Sequence, residues 1–363
     1  MKIKRRKTKR IYIGSVPIGG GAPIAVQSMT STDTRDVEAT VRQIRRLEKA
    51  GCEIVRLGVP DRAAARALGA IRARVKVPLV ADIHFDYRLA LEALKEGVDG
   101  LRLNPGNIGS SEKVRAVTHA AAERQIHIRI GVNAGSLEKP LLRKYGGPTP
   151  EALVESALGH VAILEKEGFD LIKVSLKASD VGRTLEAYRI ISRKVDYPLH
   201  FGITEAGTLL PGAIKSSVGL GLLLAEGIGD TIRVSLAATP EQEVRVAYHI
   251  LGALGIRRRG VELISCPTCS RTQIDLIGLA KKVEKALSHV RTPLTVAVMG
   301  CVVNGPGEAR EADVGIAGGR GKGLLFKKGK IVGRYPENEL LAVLLQEVES
   351  MTGEKVRRPK KAL

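Results

Sequence analysis

The chain has 363 residues, of which 44% are hydrophobic, and this length can bury one large core and a smaller second one. It contains no apolar run that could cross a bilayer and no apolar leader, which argues against a membrane or secreted protein and predicts a cytoplasmic location. The formal charge of +20 suits nucleic acid, but the aromatic content is 3% with no tryptophan, so we expect anionic small molecules or an acidic protein as partners instead.

The first 26 residues predict a basic tail followed by a hairpin. Residues 1–10 are rich in lysine and arginine, and we expect them, like the basic C-terminus, to be solvated. Residues 11–26 read as two short strands around a Gly19-Gly20-Gly21 turn. Glycines can also cradle a phosphate, but no Walker lysine follows these three, so a plain turn is favoured.

Short aliphatic strands then alternate with helical stretches, and the unit repeats about every thirty residues. Strands are predicted to begin near Ile24, Ile54, Pro78, Gly100, His127, Leu171, Pro198 and Thr231. Helices are predicted, among others, over Asp36–Ala50, Asp86–Glu96, Ser111–Arg124 and Pro150–Gly168. Eight strands that alternate with helices predict a (β/α)8 TIM barrel, an α/β fold, within residues 1–258. A doubly wound open sheet is the alternative.

Five of these strands carry a cation between aliphatic residues, namely Arg56, Arg102, Arg129, Lys173 and Arg233. Because side chains alternate along a strand, aliphatic neighbours that face the helices turn these cations into the barrel. Buried cations need partners, and the inward acids are few, Asp82 and Glu205. The pattern therefore favours an anionic substrate, with a diphosphate as the natural ligand for several arginines, over an internal network of ion pairs.

Other polar residues follow the same strands at their carboxyl ends. They are Asp82, His84, Asn104, Asn133, Ser175, His200, Glu205 and Ser235. Barrel enzymes hold their active sites at this face, so the group predicts a substrate pocket. Glu205, in a turn beside glycine, is the candidate general acid.

Residues 259–363 predict a small α+β domain. Strands are expected at Val261–Ser265, Leu294–Met299 and Asp313–Ala317, with a hairpin through Lys327–Lys330. Helices are expected at Thr272–His289 and Pro336–Glu349. The loops between these elements contain three of the four cysteines.

Those cysteines have the spacing of metal ligands. Cys266 and Cys269 form a C-x-x-C pair, and Cys301 lies in a later loop that leads through N-G-P-G to Glu308. Three thiolates and one carboxylate suit an iron-sulfur cluster, whereas a structural zinc site lacks a clear fourth ligand but stays possible. Cys52 begins a predicted strand far upstream and is expected to be buried.

Three stretches together resemble the 4-hydroxy-3-methylbut-2-enyl diphosphate synthases of isoprenoid biosynthesis, in their bacterial two-domain form. These are the C-P-T-C-S-R-T-Q-I-D-L loop, the M-G-C-V-V-N-G-P-G-E-A loop and the V-Q-S-M-T-S-T-D-T segment. The resemblance implies an oxidoreductase that opens the ring of 2-C-methyl-D-erythritol 2,4-cyclodiphosphate and removes a hydroxyl group. It also implies a 4Fe-4S cluster on Cys266, Cys269, Cys301 and Glu308, with Glu205 facing the reacting carbons.

The same resemblance implies the substrate contacts and the partners. Arg56, Arg102, Arg129 and Lys173 match diphosphate-binding positions, and Asp82, Asn133, His200, Arg233 and Ser235 match pocket positions. Flavodoxin or ferredoxin would donate the electrons, and a homodimer would place the cluster domain of one chain over the barrel of the other. Two alternatives stay open: a phosphosugar lyase or aldolase with a structural zinc module, and a nucleic-acid-binding protein with a zinc knuckle.

Overall fold

The computed structural model describes residues 3–301, 307 and 309–358. The chain divides into two compact units, Met1–Arg257 and Arg258–Leu363. This division lies one residue before the expected boundary. Each unit has its own hydrophobic core. No helix in the described ranges is long and apolar enough to span a bilayer.

The first unit is a parallel barrel surrounded by helices. Its strands are β3 (Ala25–Met29), β4 (Ile54–Gly58), β5 (Leu79–Asp82), β6 (Gly100–Arg102), β7 (His127–Asn133), β8 (Ile172–Lys177), β9 (His200–Phe201) and β10 (Thr231–Ile232). They hydrogen-bond in the order β8-β7-β6-β5-β4-β3-β10-β9, and a parallel bridge from Val174 to Leu199 joins β8 to β9. The predicted TIM barrel is confirmed, and the open sheet was the wrong alternative.

Helices follow the strands and cover the outside of the barrel. They are α1 (Val37–Ala50), α2 (Arg62–Arg72), α3 (Tyr87–Lys95), α4 (Ser111–Glu123), α5 (Lys139–Tyr145), α6 (Pro150–Lys166), α7 (Val181–Lys194), α8 (Leu209–Ala225) and α9 (Pro240–Ala253). The ends of α1 show why local sequence predicts them well. Asp36 accepts a hydrogen bond from the Ala39 amide at its start, and Gly51 ends it with a left-handed φ of 103°.

The N-terminal hairpin differs from the prediction. Strands β1 (Ile11–Ile13) and β2 (Val16–Ile18) pair around Gly14 and Ser15, so the turn was wrongly placed at the three later glycines. The earlier turn lets the hairpin isoleucines pack on the inward residues Ala25, Ile54 and Val80, near the starts of their strands. The hairpin thereby closes the amino-terminal end of the barrel and leaves the carboxyl end for function.

The N-terminal basic segment is bound to the barrel through Arg5 and Arg6, so the expectation that it is solvated is wrong for these two residues, whereas Lys4, Lys7, Lys9 and Arg10 are exposed. Arg5 pairs with Asp230 at 2.9 Å. Arg6 donates to the carbonyl oxygens of Ser192, Val195 and Tyr197, which follow or end helix α7. A guanidinium group satisfies carbonyls that a helix end leaves without amide partners. Part of the positive charge is therefore structural.

The second unit is a mixed sheet with helices packed on one face. Its described strands are β11 (Val261–Ser265), β12 (Leu294–Met299), β13 (Val314–Ala317), β14 (Lys322–Lys327) and β15 (Lys330–Pro336), hydrogen-bonded in that order. Helices α10 (Leu276–Leu287) and α11 (Leu340–Thr352) pack on Val296, Val298, Val314, Ile316 and Leu325.

Helices α10 and α11 each begin about four residues later than predicted. Asp275 caps α10 by accepting a hydrogen bond from the Gly278 amide at 2.9 Å, which sets the start at Leu276. Pro336 belongs to strand β15, and a 3-10 turn at Glu337–Glu339 precedes α11. In both cases the segment before the helix is engaged in other contacts, which periodicity alone does not detect.

Candidate functional site

The strand cations point into the barrel, as predicted. Arg56, Arg102, Arg129 and Lys173 are all less than one-tenth exposed. Their strand neighbours belong to the core that the helices share. Since alternate side chains of a strand face opposite sides, the cations occupy the interior face. Register places Arg102 opposite Arg129, and Arg129 opposite Lys173.

One carboxylate, that of Asp82, forms ion pairs with two of these cations. Asp82 Oδ2 lies 3.4 Å from Arg56 Nε, and Asp82 Oδ1 lies 3.4 Å from Arg102 Nη1. Burial by itself raises the pKa of Asp82, but Arg56 and Arg102 together hold that pKa below its usual value. Burial also lowers the pKa of the Arg56 guanidinium to about 10, against the opposing effect of Asp82. Asp82 is therefore an ionised anchor for two arginines.

We expect Asp82→Asn to destabilise the protein by about 3–5 kcal/mol at pH 7, because two buried guanidinium groups lose their counter-charge. A carboxyl whose pKa is depressed by folding contributes stability above its unfolded pKa, about 3.9, and loses it as pH falls through the folded value. The difference between wild type and variant in urea unfolding should therefore be large at pH 7 and shrink toward pH 3. An equal difference at both pH values would contradict this role.

Arg129 and Lys173 have no ion-pair or hydrogen-bond partner for their charged groups among the described residues. None of the three guanidinium nitrogens of Arg129, nor Lys173 Nζ, hydrogen-bonds to any residue that the structure describes. Burial lowers the pKa of both side chains, and the neighbouring arginines lower it further. An unpaired buried cation costs considerable free energy, and an anion bound beside these side chains would relieve that cost.

Glycine at position 131 allows Arg102 to reach its place. Arg102 Nη2 donates to the Gly131 carbonyl at 2.8 Å, and Asn104 hydrogen-bonds to both the amide and the carbonyl of the same residue. A Cβ atom at Gly131 would stand 2.8 Å from Arg102 Nε, closer than such contacts allow. Asn104 thus holds the backbone on which the guanidinium group rests.

Glu243, in the first turn of α9, is a buried acid that sequence reasoning missed. Its Oε2 lies 3.9 Å from Arg233 Nε and accepts a hydrogen bond from Ser28, while Oε1 accepts one from the Leu236 amide. Burial raises the pKa of Glu243, although Arg233 acts in the opposite direction. A glutamate in the first turn of a helix is usually solvated, so no sequence signal distinguished it.

Lys177 is a second missed residue. It lies on β8 opposite Asn133, two and four residues beyond Ser175 and Lys173, and so shares their inward face. Burial lowers its pKa, and Arg56, Arg129 and Arg233 lower it further. The strand alternation that identified Lys173 contained the signal for Lys177 as well, one step nearer the open end of the barrel.

The remaining predicted pocket residues differ in exposure. Ser175 and His200 are fully buried; burial and the neighbouring Arg129 lower the pKa of His200, whose Nδ1 lies 2.7 Å from Thr231 Oγ1. Asn133 and Ser235 are half-buried. Glu205 is exposed and has a left-handed φ of 53°, a conformation that side chains other than glycine seldom adopt and that is common at active sites.

The cysteine loops lie in the second unit. Cys266 Sγ accepts a hydrogen bond from the Gly300 amide at 3.2 Å, which brings the C-x-x-C loop to the residue before Cys301. Cys266 is half-buried, Cys269 exposed and Cys301 buried, and all three thiols are free. Glu308 lies outside the described residues. Within the described ranges, no three His, Cys, Asp or Glu side chains are close enough to share a metal ion.

The surroundings of Cys269 and Cys52 shift the pKa values of their thiols in opposite directions. Hydrogen bonds from the backbone and side chain of Arg271 lower the pKa of Cys269. By contrast, burial raises the pKa of Cys52, in the barrel unit, to about 12. Cys52 therefore stays a neutral thiol, as its position in the sequence predicted.

Comparisons with known proteins agree over nearly the whole chain. Residues 8–248 match a family model described as the GcpE TIM-barrel domain, and residues 262–350 match one described as the GcpE protein C-terminal domain. A 4-hydroxy-3-methylbut-2-en-1-yl diphosphate synthase (flavodoxin) of Geobacter sulfurreducens is 64% identical over 97% of this chain and 99% of that protein. An enzyme of the same name from Thermodesulfovibrio yellowstonii is 62% identical over 95% of this chain and 99% of that protein.

Among solved structures, the dihydropteroate synthase of Yersinia pestis has a TM-score of 0.50 at 12% identity. The alignment covers 68% of this chain and 98% of that one. At this identity the likeness concerns the barrel fold alone.

Proposed function

This chain belongs to the GcpE family, and we propose that it converts 2-C-methyl-D-erythritol 2,4-cyclodiphosphate into (E)-4-hydroxy-3-methylbut-2-enyl diphosphate in isoprenoid biosynthesis. Counted for the neutral acids, the reaction consumes two electrons and two protons, opens the ring at a C–O bond, removes one hydroxyl and releases one water. The observation that carries the proposal is the pair of unpaired buried cations, Arg129 and Lys173. A diphosphate provides the negative charge that they lack.

The barrel cations would bind and orient the substrate. We assign the diphosphate to Arg56, Arg102, Arg129 and Lys173, and add Lys177, which shares the inward face of β8 and whose pKa three of these arginines lower. Asp82 keeps Arg56 and Arg102 oriented before the substrate arrives. Asn133, Ser175, His200, Arg233 and Ser235 complete the proposed pocket. Several fixed cations in a site shielded from water hold an anion more strongly than solvated side chains would.

Proton supply is assigned to Glu205. Its side chain is exposed in the loop that follows β9, at the carboxyl end of the barrel. The strained backbone at this residue supports a functional role. Burial lowers the pKa of His200, so this histidine is neutral and suits a hydrogen-bonding role rather than proton donation.

The cysteine loops fit an iron-sulfur cluster by their chemistry. Three free thiols on two loops, joined through the Cys266–Gly300 hydrogen bond, are the soft donors that such clusters take. We propose that Cys266, Cys269, Cys301 and Glu308 hold a 4Fe-4S cluster. When bound, the cluster supplies electrons one at a time. The free thiols also support the proposed cytoplasmic location.

Flavodoxin is the proposed electron donor, because the relatives named above are flavodoxin-dependent by name. Ferredoxin, another acidic carrier, would suit the positive charge equally. The experiment that tests the function is analysis of protein purified without oxygen. About four irons and four sulfides per chain, with turnover of the cyclic diphosphate, are expected. Stoichiometric zinc in a colourless, air-stable protein would overturn the redox mechanism and favour a barrel enzyme with a structural zinc.

We also propose a homodimer through helix α8. Leu210, Ile214, Val218 and Leu222 recur every four residues and are 71%, 57%, 50% and 44% exposed, so they form one apolar stripe. Because the chain carries a net charge of +20, two copies repel each other, and contact through an uncharged surface adds the least to that repulsion. A two-fold axis would pair this uncharged stripe with itself.

We expect light scattering to give twice the chain mass for wild type, and a monomer for Ile214→Glu/Val218→Glu. The charges would be buried against like charges across the two-fold axis, which costs several kcal/mol. Lys215→Glu, on the same helix but outside the stripe, is the control and should remain dimeric. A monomeric wild type, or a double variant that stays dimeric, would overturn the proposal.

A further inference from the structure

Among the described residues, helices α10 and α11 pack on one face of the sheet of the second unit. On the opposite face, Ala297, Met299, Ala317 and Phe326 pack with Ala309 and Ala312, which follow the Cys301 loop. Register places Ile331 of the edge strand β15 opposite Phe326, and Arg334 opposite Leu324. Cross-strand partners share a face, so Ile331 and Arg334 extend this second face to β15, the edge strand on the side of the sheet opposite to β11.

The hairpin between β14 and β15 is attached to the segment after the Cys301 loop. The Lys328 amide donates to the Ala312 carbonyl at 3.2 Å. Arg310 lies against the hairpin turn, because a Cβ atom at Gly329 would stand 2.8 Å from Arg310 Cγ. The hairpin therefore contacts Arg310 and Ala312, in the described stretch that follows the Cys301 loop.

The hairpin surface is cationic around an apolar centre. Ile331 and Val332 are 52% and 50% exposed. Four exposed cations surround them, namely Arg310, Lys328, Lys330 and Arg334. None of the four forms a salt bridge with a residue in the described ranges, whereas Lys327 of the same hairpin pairs with Glu347. One exposed carboxylate, Glu311, follows Arg310, so the surface keeps a strong positive excess.

We propose that this hairpin surface (Arg310, Lys328, Lys330, Ile331, Val332 and Arg334) is the docking site for the acidic one-electron donor. The inference rests on the proposed function and adds the surface on which its electrons arrive. Short-lived redox complexes combine a small contact area with complementary charge, which speeds encounter and allows rapid release. Each encounter passes one electron from the reduced donor to the chain, and two encounters complete one turnover.

Other exposed lysines fit this task less well. Lys282 and Lys285 lie on α10, whose apolar side packs on the helix-bearing face of the sheet, away from the face that Ala309 and Ala312 cover. A partner docked there would meet the helices rather than the face on which Ala309 and Ala312 pack. Their substitution provides a control with the same change in net charge.

The test compares two reductants on the cluster-loaded enzyme. Lys330→Glu/Arg334→Glu is assayed with reduced flavodoxin and, separately, with dithionite-reduced methyl viologen, which needs no protein docking. We expect KM for flavodoxin to rise about 10- to 100-fold at low salt. Turnover with viologen should stay at the wild-type value, and the difference in KM should narrow as salt screens the charges. Lys282→Glu/Lys285→Glu should change KM for flavodoxin less than about threefold.

Three results would overturn the docking site: an unchanged KM for flavodoxin, an equal rise in the α10 control, or an equal loss with both reductants. A second variant, Ile331→Ala, tests the apolar centre without changing charge and should raise KM at every salt concentration. A wild type that is inactive with viologen would instead refute the proposed function. The two failures are therefore distinguishable.

Discussion

Replacing Arg129 with methionine is expected to lower kcat/KM for the cyclic diphosphate about 100- to 5000-fold, which corresponds to about 3–5 kcal/mol. Methionine retains the apolar length of the side chain but removes the charge and the donors that would hold the diphosphate. All three guanidinium nitrogens are buried without a hydrogen-bond partner among the described residues. Steady-state kinetics with a saturating reductant measures this loss.

The same substitution should stabilise the substrate-free protein, by about 1–4 kcal/mol. Burial and the nearby Arg56 and Arg102 lower the pKa of Arg129, which means that its charged form is held at a cost. Removing that charge relieves the cost. A protein that loses stability with Arg129→Met would show that an internal partner satisfies the cation, and the proposed site would fail.

Two variants control for this result. Asp82→Asn changes the charge of the same interior in the opposite direction and should destabilise, so the two effects have opposite signs. Arg115→Met removes an exposed arginine whose Nε lies 2.9 Å from Glu167. Exposed ion pairs contribute little to stability, so we expect Arg115→Met to leave both the unfolding midpoint and the turnover close to the wild-type values.

Replacing Cys301 with serine is expected to remove most of the iron and to reduce turnover by at least about 1000-fold. Cluster iron binds thiolate sulfur far better than a serine hydroxyl. The two loops provide three thiols, so the variant would have two left to hold the cluster. The measurements are iron and sulfide analysis of protein prepared without oxygen, followed by turnover with viologen as reductant. Full iron content in this variant would exclude Cys301 as a ligand.

Cys52→Ala is the matched control, because it removes a buried thiol of raised pKa from the other unit. It should keep full iron content and turnover while losing about 1 kcal/mol of stability through a small cavity. A loss of iron in both variants would indicate general misfolding rather than ligand loss.

The barrel cations show why the inward direction of these side chains was predictable. Side chains alternate between the two faces of a strand, so a cation between two aliphatic residues that face the helices must point into the barrel. The spacing of Cys266, Cys269 and Cys301 likewise predicts ligands, since a C-x-x-C pair needs no distant contact to be recognised. Local periodicity and local spacing therefore led to the fold, the candidate pocket and the cysteine loops.

Other features depend on contacts between distant residues. Glu243 and Arg233 meet through the packing of α9 against the barrel, and Arg6 is held by carbonyls near residue 195. The turn of the first hairpin was misplaced because its position depends on which isoleucines reach the barrel floor. None of these contacts produces a periodic pattern in the sequence from which it could be predicted.

The sequence by itself thus determined the strand and helix order, the inward direction of the cations and the ligand-like spacing of the cysteines, because each follows from neighbours along the chain. Only the tertiary structure decided which cations are answered: Asp82 pairs with Arg56 and Arg102, whereas Arg129 and Lys173 have no partner among the described residues. The physical reason is that burial makes a charge costly, and whether a counter-charge relieves that cost depends on distances that only folding sets.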